Sequence, residues 1–151
     1  MTKFEAKDPN FEARVRASFD RQPAMRTLGA SLGRVAPGEV EVELPYRSDL
    51  TQQEDIVHGG IVTAIADNAC SYAALSLSAP DTGVLVVEYK VNFVAPAMGD
   101  RLLARGEVVR PGGSIAVCKG NVTAFDRGEE LVVATILATV MLLPNRLDLA
   151  G

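Results

Sequence analysis

The residues best suited to chemistry lie between positions 58 and 71, where a double glycine is followed by a carboxylate in an otherwise apolar run. His58-Gly59-Gly60 begins this run, and the apolar residues that follow predict a helix. The first backbone N–H groups of a helix have no partner within it and carry the positive end of its dipole. Such an end stabilises an oxyanion. The alternative is that the two glycines serve only a tight turn into the helix.

Asp67 lies in the middle of the apolar run, between Ala66 and Asn68. A buried carboxylate without partners is costly, so Asp67 belongs to a structural ion pair, is solvated by a cleft, or is functional. Ser71 follows four residues later on the same helical face, where it either holds a water molecule or packs as a small residue.

The spacing of these residues bears on oligomeric state. Gly60 and Asp67 are seven residues apart, so they share one face of a helix but stand ~10 Å apart along its axis. One chain cannot bring both to the same carbonyl group. If both serve one reaction, a second copy must supply the missing half, which predicts a two-fold dimer with sites at its interface.

Two further side chains precede the helix. Gln52 lies six residues before His58, and its amide is a donor for a carbonyl oxygen. His58 is a candidate general base, although a lone histidine at such a junction more often orients nearby backbone. A triad of Cys70, His58 and Asp67 is excluded, because twelve residues of helix separate Cys70 from His58 by ~18 Å.

Hydrophobic periodicity predicts the elements that position these residues. Asp8 and Pro9 predict the start of a first helix, which runs to about Gln22 and is ended by Pro23. The run 61–75, free of Gly and Pro, predicts a long helix that is buried on nearly all sides. Strands are predicted at about 27–35, 39–44, 87–93, 101–110, 114–125 and 131–143. This order predicts an α+β fold, an antiparallel sheet wrapped around one long central helix, with a short N-terminal helix.

Composition excludes several classes of function. The 151 residues predict one domain, and a net charge of −4 with a pI near 5.0 argues against a nucleic-acid partner. The N-terminus has no apolar signal region, and no stretch approaches ~18 apolar residues, so no membrane partner and a cytoplasmic location are predicted. Cys70 and Cys118 are expected to be reduced core residues. His58 and two scattered cysteines have no metal-ligand spacing, so no metal site is predicted.

The string Gln52-x5-His58-Gly59-Gly60-x6-Asp67, followed by a strand to Phe93 and then Val94-Ala95-Pro96-Ala97, resembles the hotdog-fold acyl-CoA thioesterases. The resemblance is in particular to their PaaI-like branch, with the 4-hydroxybenzoyl-CoA thioesterases as neighbours. It covers about residues 27–143, the expected core of a single domain over 1–151, with 1–26 as an N-terminal helical segment. It implies hydrolysis of acyl-CoA thioesters by a homodimer that is usually paired into a tetramer, with no cofactor beyond the CoA of the substrate.

Carried over by position, the resemblance implies that Asp67 is the catalytic carboxylate, acting as general base on water or as nucleophile. The N–H of Gly59 would polarise the thioester carbonyl, and Gln52 would assist near it. Ser71 matches a hydroxyl that positions water in some members. Asp67 would come from one protomer, and Gly59 and Gln52 from the other. One departure is Val86, where many PaaI-like members carry Ser or Thr.

The CoA part of the substrate needs contacts of its own. The segment Arg110-Pro111-Gly112-Gly113-Ser114 offers a cation, backbone N–H groups and a hydroxyl at a strand turn, which suits phosphate. The alternative is an ordinary hairpin turn with a surface arginine. Gly60 permits close approach of the substrate, and the backbone of Val87 and Glu88 is a further candidate contact for pantetheine.

Two other functions are weighed against thioester hydrolysis. A hotdog hydratase or dehydratase uses a histidine with a carboxylate farther along, and the double glycine after His58 fits it poorly. A non-catalytic acyl-CoA sensor usually lacks the helix carboxylate and has a DNA-binding segment, whereas here Asp67 is present. The sequence therefore favours catalysis.

Overall fold

The computed structural model describes residues 3–146. The helices and strands follow in chain order: α1 Phe11–Asp20, α2 Pro23–Leu28, β1 Ser31–Ala36, β2 Glu39–Pro45, a 3-10 turn Ser48–Leu50, α3 Gly59–Ser76, β3 Gly83–Phe93, β4 Arg101–Arg110, β5 Ile115–Asp126 and β6 Glu129–Leu143. The six strands form one sheet in the order β1-β2-β4-β5-β6-β3, and every neighbouring pair is antiparallel. The predicted α+β fold around a central helix is confirmed.

Helix α3 packs across the sheet and contacts all six strands. Its sheet-facing side chains, among them Ile65, Ala69 and Ala73, are fully buried. The closest approach is over β4, where Gly106 lies so near α3 that a Cβ there would overlap the backbone of Ala69. Gly106 pairs with Gly120 of β5, so the helix crosses the sheet where two side chains are missing.

One face of α3 is not covered by the sheet, so the prediction of a helix buried on nearly all sides holds for only part of its circumference. The residues on this face recur at helical spacing and are partly or fully exposed: Gly60, Thr63, Ala64, Asp67, Asn68 and Ser71. The candidate catalytic carboxylate therefore lies on the one face of α3 that a ligand or a second chain can reach.

The N-terminal segment differs from its prediction. Helix α1 begins at Phe11, and the carboxylate of Asp8 accepts the N–H of Asn10 at 2.8 Å instead of capping the helix. Pro23 begins α2 instead of merely ending α1. A proline fits the first position of a helix, because the backbone N–H that it lacks would have no partner within the helix there. Gly29, with φ 76°, ends α2. Strand β1 therefore starts at residue 31 and not at 27, and β3 starts at 83 and not at 87.

Arg14 fixes α1 to the end of α3. Its guanidinium donates to the carbonyl oxygens of Ala79, Leu75 and Ser78 at 2.7, 3.0 and 2.9 Å, and its Nε lies 3.3 Å from Asp8. A cation at the negative end of a helix is favourable. The first half of α1 is thereby held at the C-terminal end of α3.

Cys70 and Cys118 are free thiols, and both are buried, as predicted. Burial raises the pKa of Cys118 to about 12 and raises the pKa of Cys70 as well. Within residues 3–146, no helix is long and apolar enough to cross a membrane, and no three His, Cys, Asp or Glu side chains are grouped to hold a metal ion.

Candidate active site

The N-terminus of α3 has one open hydrogen-bond donor. His58 occupies the N-cap, and its Nδ1 accepts the N–H of Gly60 at 2.9 Å. The N–H groups of Ile61 and Val62 donate to the carbonyl oxygen of His58 at 2.9 and 3.1 Å. Of the first four N–H groups of α3, only that of Gly59 has no partner in the part of the chain that the structure describes. His58 thus orients the helix start, and Gly59 has the donor suited to an oxyanion.

Gly59 opens into a cleft of about 510 Å³, here called the glycine cleft. Gln52 and His58 line it on one side, and the end of β3 with the segment 93–97 lines it on the other. The ring of Phe93 covers Gly59, since a Cβ there would stand 3.1 Å from the ring. The side chain of Gln52 is exposed, while its backbone N–H is held by the carbonyl oxygen of Ile56 at 2.8 Å.

Asp67 lies in a different cleft of about 360 Å³, here called the Asp67 cleft. Its Oδ1 is buried and has no hydrogen-bond partner within residues 3–146, and burial raises the pKa of this carboxyl. A partly buried carboxylate with one unsatisfied oxygen is a site candidate in its own right. Ser71 donates its hydroxyl hydrogen to the backbone oxygen of Asp67 at 2.8 Å, which leaves only its lone pairs for water. Val86 lines the same cleft without a hydroxyl.

The two clefts share no lining residue. Asp67 follows Gly59 by eight residues of α3, which is about 12 Å of helix. One protomer therefore does not bring Asp67 together with Gly59 and Gln52, in agreement with the spacing argument.

The residues expected to bind CoA are dispersed. Gly112 and Gly113 line a third cavity, of about 200 Å³, beside Leu77 at the C-terminal end of α3, together with the N-terminal segment. Arg110 and Ser114 flank the same strand turn and are exposed.

The two β3 candidates lie apart from that turn. Val87 is the extra residue of a bulge, because Val86 pairs with Val140 and Glu88 with Thr139. The carboxylate of Glu88 accepts the hydroxyl of Thr139 at 2.8 Å. The structure brings neither Val87 nor Glu88 to the glycine cleft or the Asp67 cleft.

Sequence analysis missed a group of polar side chains in the Asp67 cleft. Gln22 Nε2 donates to Asn68 Oδ1 and to the Tyr72 hydroxyl, both at 2.8 Å. Ser18 Oγ lies 3.1 Å from the same hydroxyl. We call Ser18, Gln22, Asn68 and Tyr72 the α1–α3 cluster. Ser18 in α1 and Gln22 just after it are 46 to 54 residues from their partners in α3. The one local signal was Asn68 beside Asp67 in an apolar helix.

The chain is similar to several known proteins. A model of the thioesterase superfamily matches residues 54–131. A crystal structure of a thioesterase family protein from Silicibacter pomeroyi is 48% identical, with a TM-score of 0.88 over 89% of this chain and 98% of that one. A protein of Halobacterium salinarum, provisionally named an esterase, is 33% identical over 127 residues, which are 81% of this chain and 82% of its own. The 1,4-dihydroxy-2-naphthoyl-CoA hydrolase of Listeria monocytogenes is 27% identical over 70% of this chain and 85% of its own.

Proposed function

This chain belongs to the thioesterase superfamily and is a thioester hydrolase, and we propose that its substrates are acyl-CoA thioesters, which it cleaves to a free acid and CoA. The observation that carries the proposal is that one helix holds a carboxylate oxygen and an N–H group, about two turns apart, that have no hydrogen-bond partner among residues 3–146. The Listeria relative is named for a CoA thioester, which supports this substrate class.

In the proposed mechanism, Gly59 donates its N–H to the carbonyl oxygen of the thioester. The positive end of α3 then stabilises the negative charge that forms on this oxygen. The Gln52 amide supplies a second donor from the same cleft. A thioester bound here needs only a base and a water molecule on its open side.

Asp67 supplies that base from the other protomer. Its carboxylate takes a proton from water, and the hydroxide oxygen bonds to the carbonyl carbon to form a tetrahedral oxyanion. When this intermediate collapses, the C–S bond breaks, the acid is released, and the thiolate of CoA takes up a proton. In the alternative route, the Asp67 carboxylate attacks the carbonyl carbon directly, and the C–S bond breaks to release CoA as a thiolate that takes up a proton. Water then hydrolyses the resulting anhydride to the free acid and the Asp67 carboxylate.

The shared site requires a dimer, and β3 supports one. This eleven-residue strand lies at the edge of the sheet and pairs only with β6 among the described strands. Its side chains Leu85, Val87 and Tyr89 are about half exposed, at 49%, 51% and 49%. A long, apolar, unpaired edge invites pairing with another strand. If β3 pairs antiparallel with its own copy, the Phe93 end of one strand lies beside the Asp67 cleft of the other, which joins the two clefts. Further pairing into a tetramer stays a prediction from the resemblance.

The test is release of CoA, followed with a thiol reagent, from a panel of aromatic and aliphatic acyl-CoAs. The buried thiols of Cys70 and Cys118 keep the background low. We expect release by the wild-type enzyme and at least a hundredfold lower turnover in Asp67→Asn, because a general base is lost. Asp20→Asn, which removes an exposed carboxylate on α1, is the matched control and should be unaffected.

Two outcomes would change the proposal. Normal turnover in Asp67→Asn would remove this residue from the mechanism. If no acyl-CoA released CoA although the protein bound them, an acyl-CoA sensor would replace the thioesterase.

A further inference from the structure

Phe93 lines the glycine cleft, but the proposed mechanism gives it no task. It is the last residue of β3, and its side chain is 57% exposed. We propose that Phe93 is a positioning residue for the hydrolysis: its ring shields the N–H of Gly59 from bulk water, so that this donor is kept for the thioester oxygen. The inference rests on the proposed function, because it takes Gly59 as the donor to the oxyanion.

The ring of Phe93 touches the first residue of α3. Phe93 pairs with Ala134 of β6, and Ala134 is fully buried in the core. Residues that lie directly opposite each other in a strand pair project to the same face of the sheet, so the ring lies on the α3 side. A Cβ at Gly59 would stand 3.1, 3.4 and 3.5 Å from three carbons of this ring. Because Gly59 has no Cβ, the ring and the helix start are in van der Waals contact.

This contact explains why residue 59 is a glycine. Its φ is not positive, so the backbone there does not require glycine. The atoms nearest to a Cβ at Gly59 all belong to Phe93, so it is the ring that leaves no room for a side chain. At Gly60 the corresponding atoms belong to His58. The two glycines therefore serve different neighbours, and the neighbour of Gly59 is part of the cleft.

The backbone that carries the ring is fixed on both sides of the cleft. The N–H groups of Val94 and Ala95 donate to the carbonyl oxygen of Val133 at 2.9 and 3.3 Å. The N–H of Val57 donates to the carbonyl oxygen of Ala97 at 2.9 Å. These bonds join the end of β3 to β6 and to the loop that precedes α3. The ring and the donor that it covers are thus held in one frame.

Removing water from around an oxyanion donor strengthens its interaction with the oxyanion. In water, solvent competes for the N–H and screens the positive end of the helix, whereas beside an apolar ring both effects are weaker. The charge on the thioester oxygen grows from the bound substrate to the tetrahedral transition state, so this stabilisation raises kcat more than it lowers KM. A purely structural contact would have no such preference for kcat.

The place of Phe93 in the proposed dimer agrees with this role. The Phe93 end of one β3 lies beside the Asp67 cleft of the other protomer, where the attacking water is activated. An apolar ring between the donor and this water confines solvent to the side from which it attacks.

Exchange of the Gly59 amide hydrogen with water, measured by NMR on isotope-labelled protein, tests the shield directly. The reference is the amide of Gly113, which is exposed and has no hydrogen-bond partner among residues 3–146. After correction for neighbouring side chains, we expect Gly59 to exchange at least about tenfold more slowly than Gly113 in the wild-type protein, and at a rate close to that of Gly113 in Phe93→Ala. Leu137→Ala, which removes a side chain of similar exposure, 54%, from β6, is the control and should not change the exchange.

Steady-state kinetics with the best substrate of the acyl-CoA panel test the effect on the reaction. Phe93→Ala should lower kcat at least about tenfold and change KM less than about threefold. Phe93→Leu keeps an apolar cover over Gly59 and should restore most of kcat. In Gly59→Ala the new methyl group displaces the ring, so adding Phe93→Ala to it should cost no more than about threefold further, whereas independent effects would multiply.

The inference would be overturned if the Gly59 amide exchanged as fast in the wild-type protein as in Phe93→Ala, if Phe93→Ala kept its kcat, or if the two losses multiplied. Light scattering adds a further such result, since a loss of activity that follows dissociation of the dimer would assign the ring to the interface. If Phe93→Ala does not fold, Phe93→Val, which shortens the side chain but suits a strand, replaces it. Failure of the proposed function is a separate result, in which the wild-type enzyme cleaves no acyl-CoA, and amide exchange would still decide whether the ring shields Gly59.

Discussion

At the residue scale, the proposed reaction needs Asp67 to be ionised, whereas the stability of the fold favours its protonated form. Burial raises the pKa of its carboxyl, so the folded protein binds the proton more tightly than the unfolded chain does. The free energy of unfolding therefore falls as pH rises from the unfolded pKa through the folded one. We expect Asp67→Asn to be more stable than wild type at pH 7, and this difference should vanish at a pH low enough to protonate Asp67 in both states. Urea unfolding at the two pH values checks it, with Asp20→Asn as the control. Lower stability of Asp67→Asn at pH 7 would instead indicate a structural ion pair.

The same raised pKa predicts the acid limb of the pH profile. A general base works only when it is ionised, so kcat/KM should fall as pH drops through the pKa of Asp67, at a pH above the ordinary aspartate range. Since the Nδ1 of His58 accepts the N–H of Gly60, the limb should persist in His58→Asn. Steady-state kinetics of both proteins across acidic pH test this, and loss of the limb in His58→Asn would make His58 the base.

Whether the position of a site residue can be predicted from the sequence depends on how far along the chain its partners lie. Asp67, Gly59 and Ser71 belong to one helix, so helical geometry alone placed them on one face and at separate heights. That Val87 and Glu88 contact pantetheine stays a prediction, and the bulge at Val87 and the bond from Thr139 to Glu88 cannot be inferred from β-strand alternation. The bonds from Gln22 to α3 span 46 and 50 residues, and no local pattern encodes them.

At the scale of elements, the start of α3 depends on one cap. His58→Ala removes the acceptor for the N–H of Gly60, and we expect it to lower the free energy of unfolding by about 1 kcal/mol. His58→Asn keeps a capping oxygen and should restore most of the loss. Chemical denaturation of the three proteins measures both effects, and equal stability of His58→Ala and wild type would contradict the role of the cap.

The crossing of α3 over the sheet depends on Gly106. A Cβ at this position would overlap the backbone of Ala69, so Gly106→Ala must push the helix from the sheet. We expect a loss of about 1–3 kcal/mol, as for other overpacked cores. Gly113→Ala is the control, because no heavy atom lies within 4 Å of its added Cβ. Similar unfolding midpoints for the two variants would show that the helix yields freely at the crossing.

The helices and strands also show which sequence patterns are sufficient to predict the bounds of an element. The bounds of β4 were predicted to the residue, because its buried and more exposed side chains alternate and the turn Pro111-Gly112-Gly113 follows it directly. The N-terminal segment was not, since Pro23 is compatible both with the end of one helix and with the start of another. A six-residue helix such as α2 has too few turns to show a period, and Met25 is its one buried side chain.

At the scale of the whole molecule, the protomer leaves three features incomplete. The edge of β3 is unpaired among the described strands, one face of α3 is open, and the glycine cleft and the Asp67 cleft are separate. A two-fold axis that passes beside the middle of β3, perpendicular to the strand, would complete all three with a single interface. A dimer that merely buries apolar surface would not need to join the two clefts into one site. Whether the site is shared between protomers can be tested without a structure of the dimer.

Subunit complementation is that test. Asp67→Asn keeps an intact glycine cleft, and Gln52→Ala keeps an intact Asp67 cleft, so each is expected to be at least about a hundredfold impaired alone. In dimers formed by co-expression at equal levels, half are mixed and each mixed dimer has one intact site of two. Activity should therefore recover to about a quarter of wild type. Co-expression of Asp67→Asn with the double variant Asp67→Asn/Gln52→Ala yields no intact site and is the control. If the first mixture stayed as inactive as its components, both halves of the site would have to act within one chain, and the eight-residue separation of Gly59 and Asp67 along α3 would have to be bridged by a change in the structure itself.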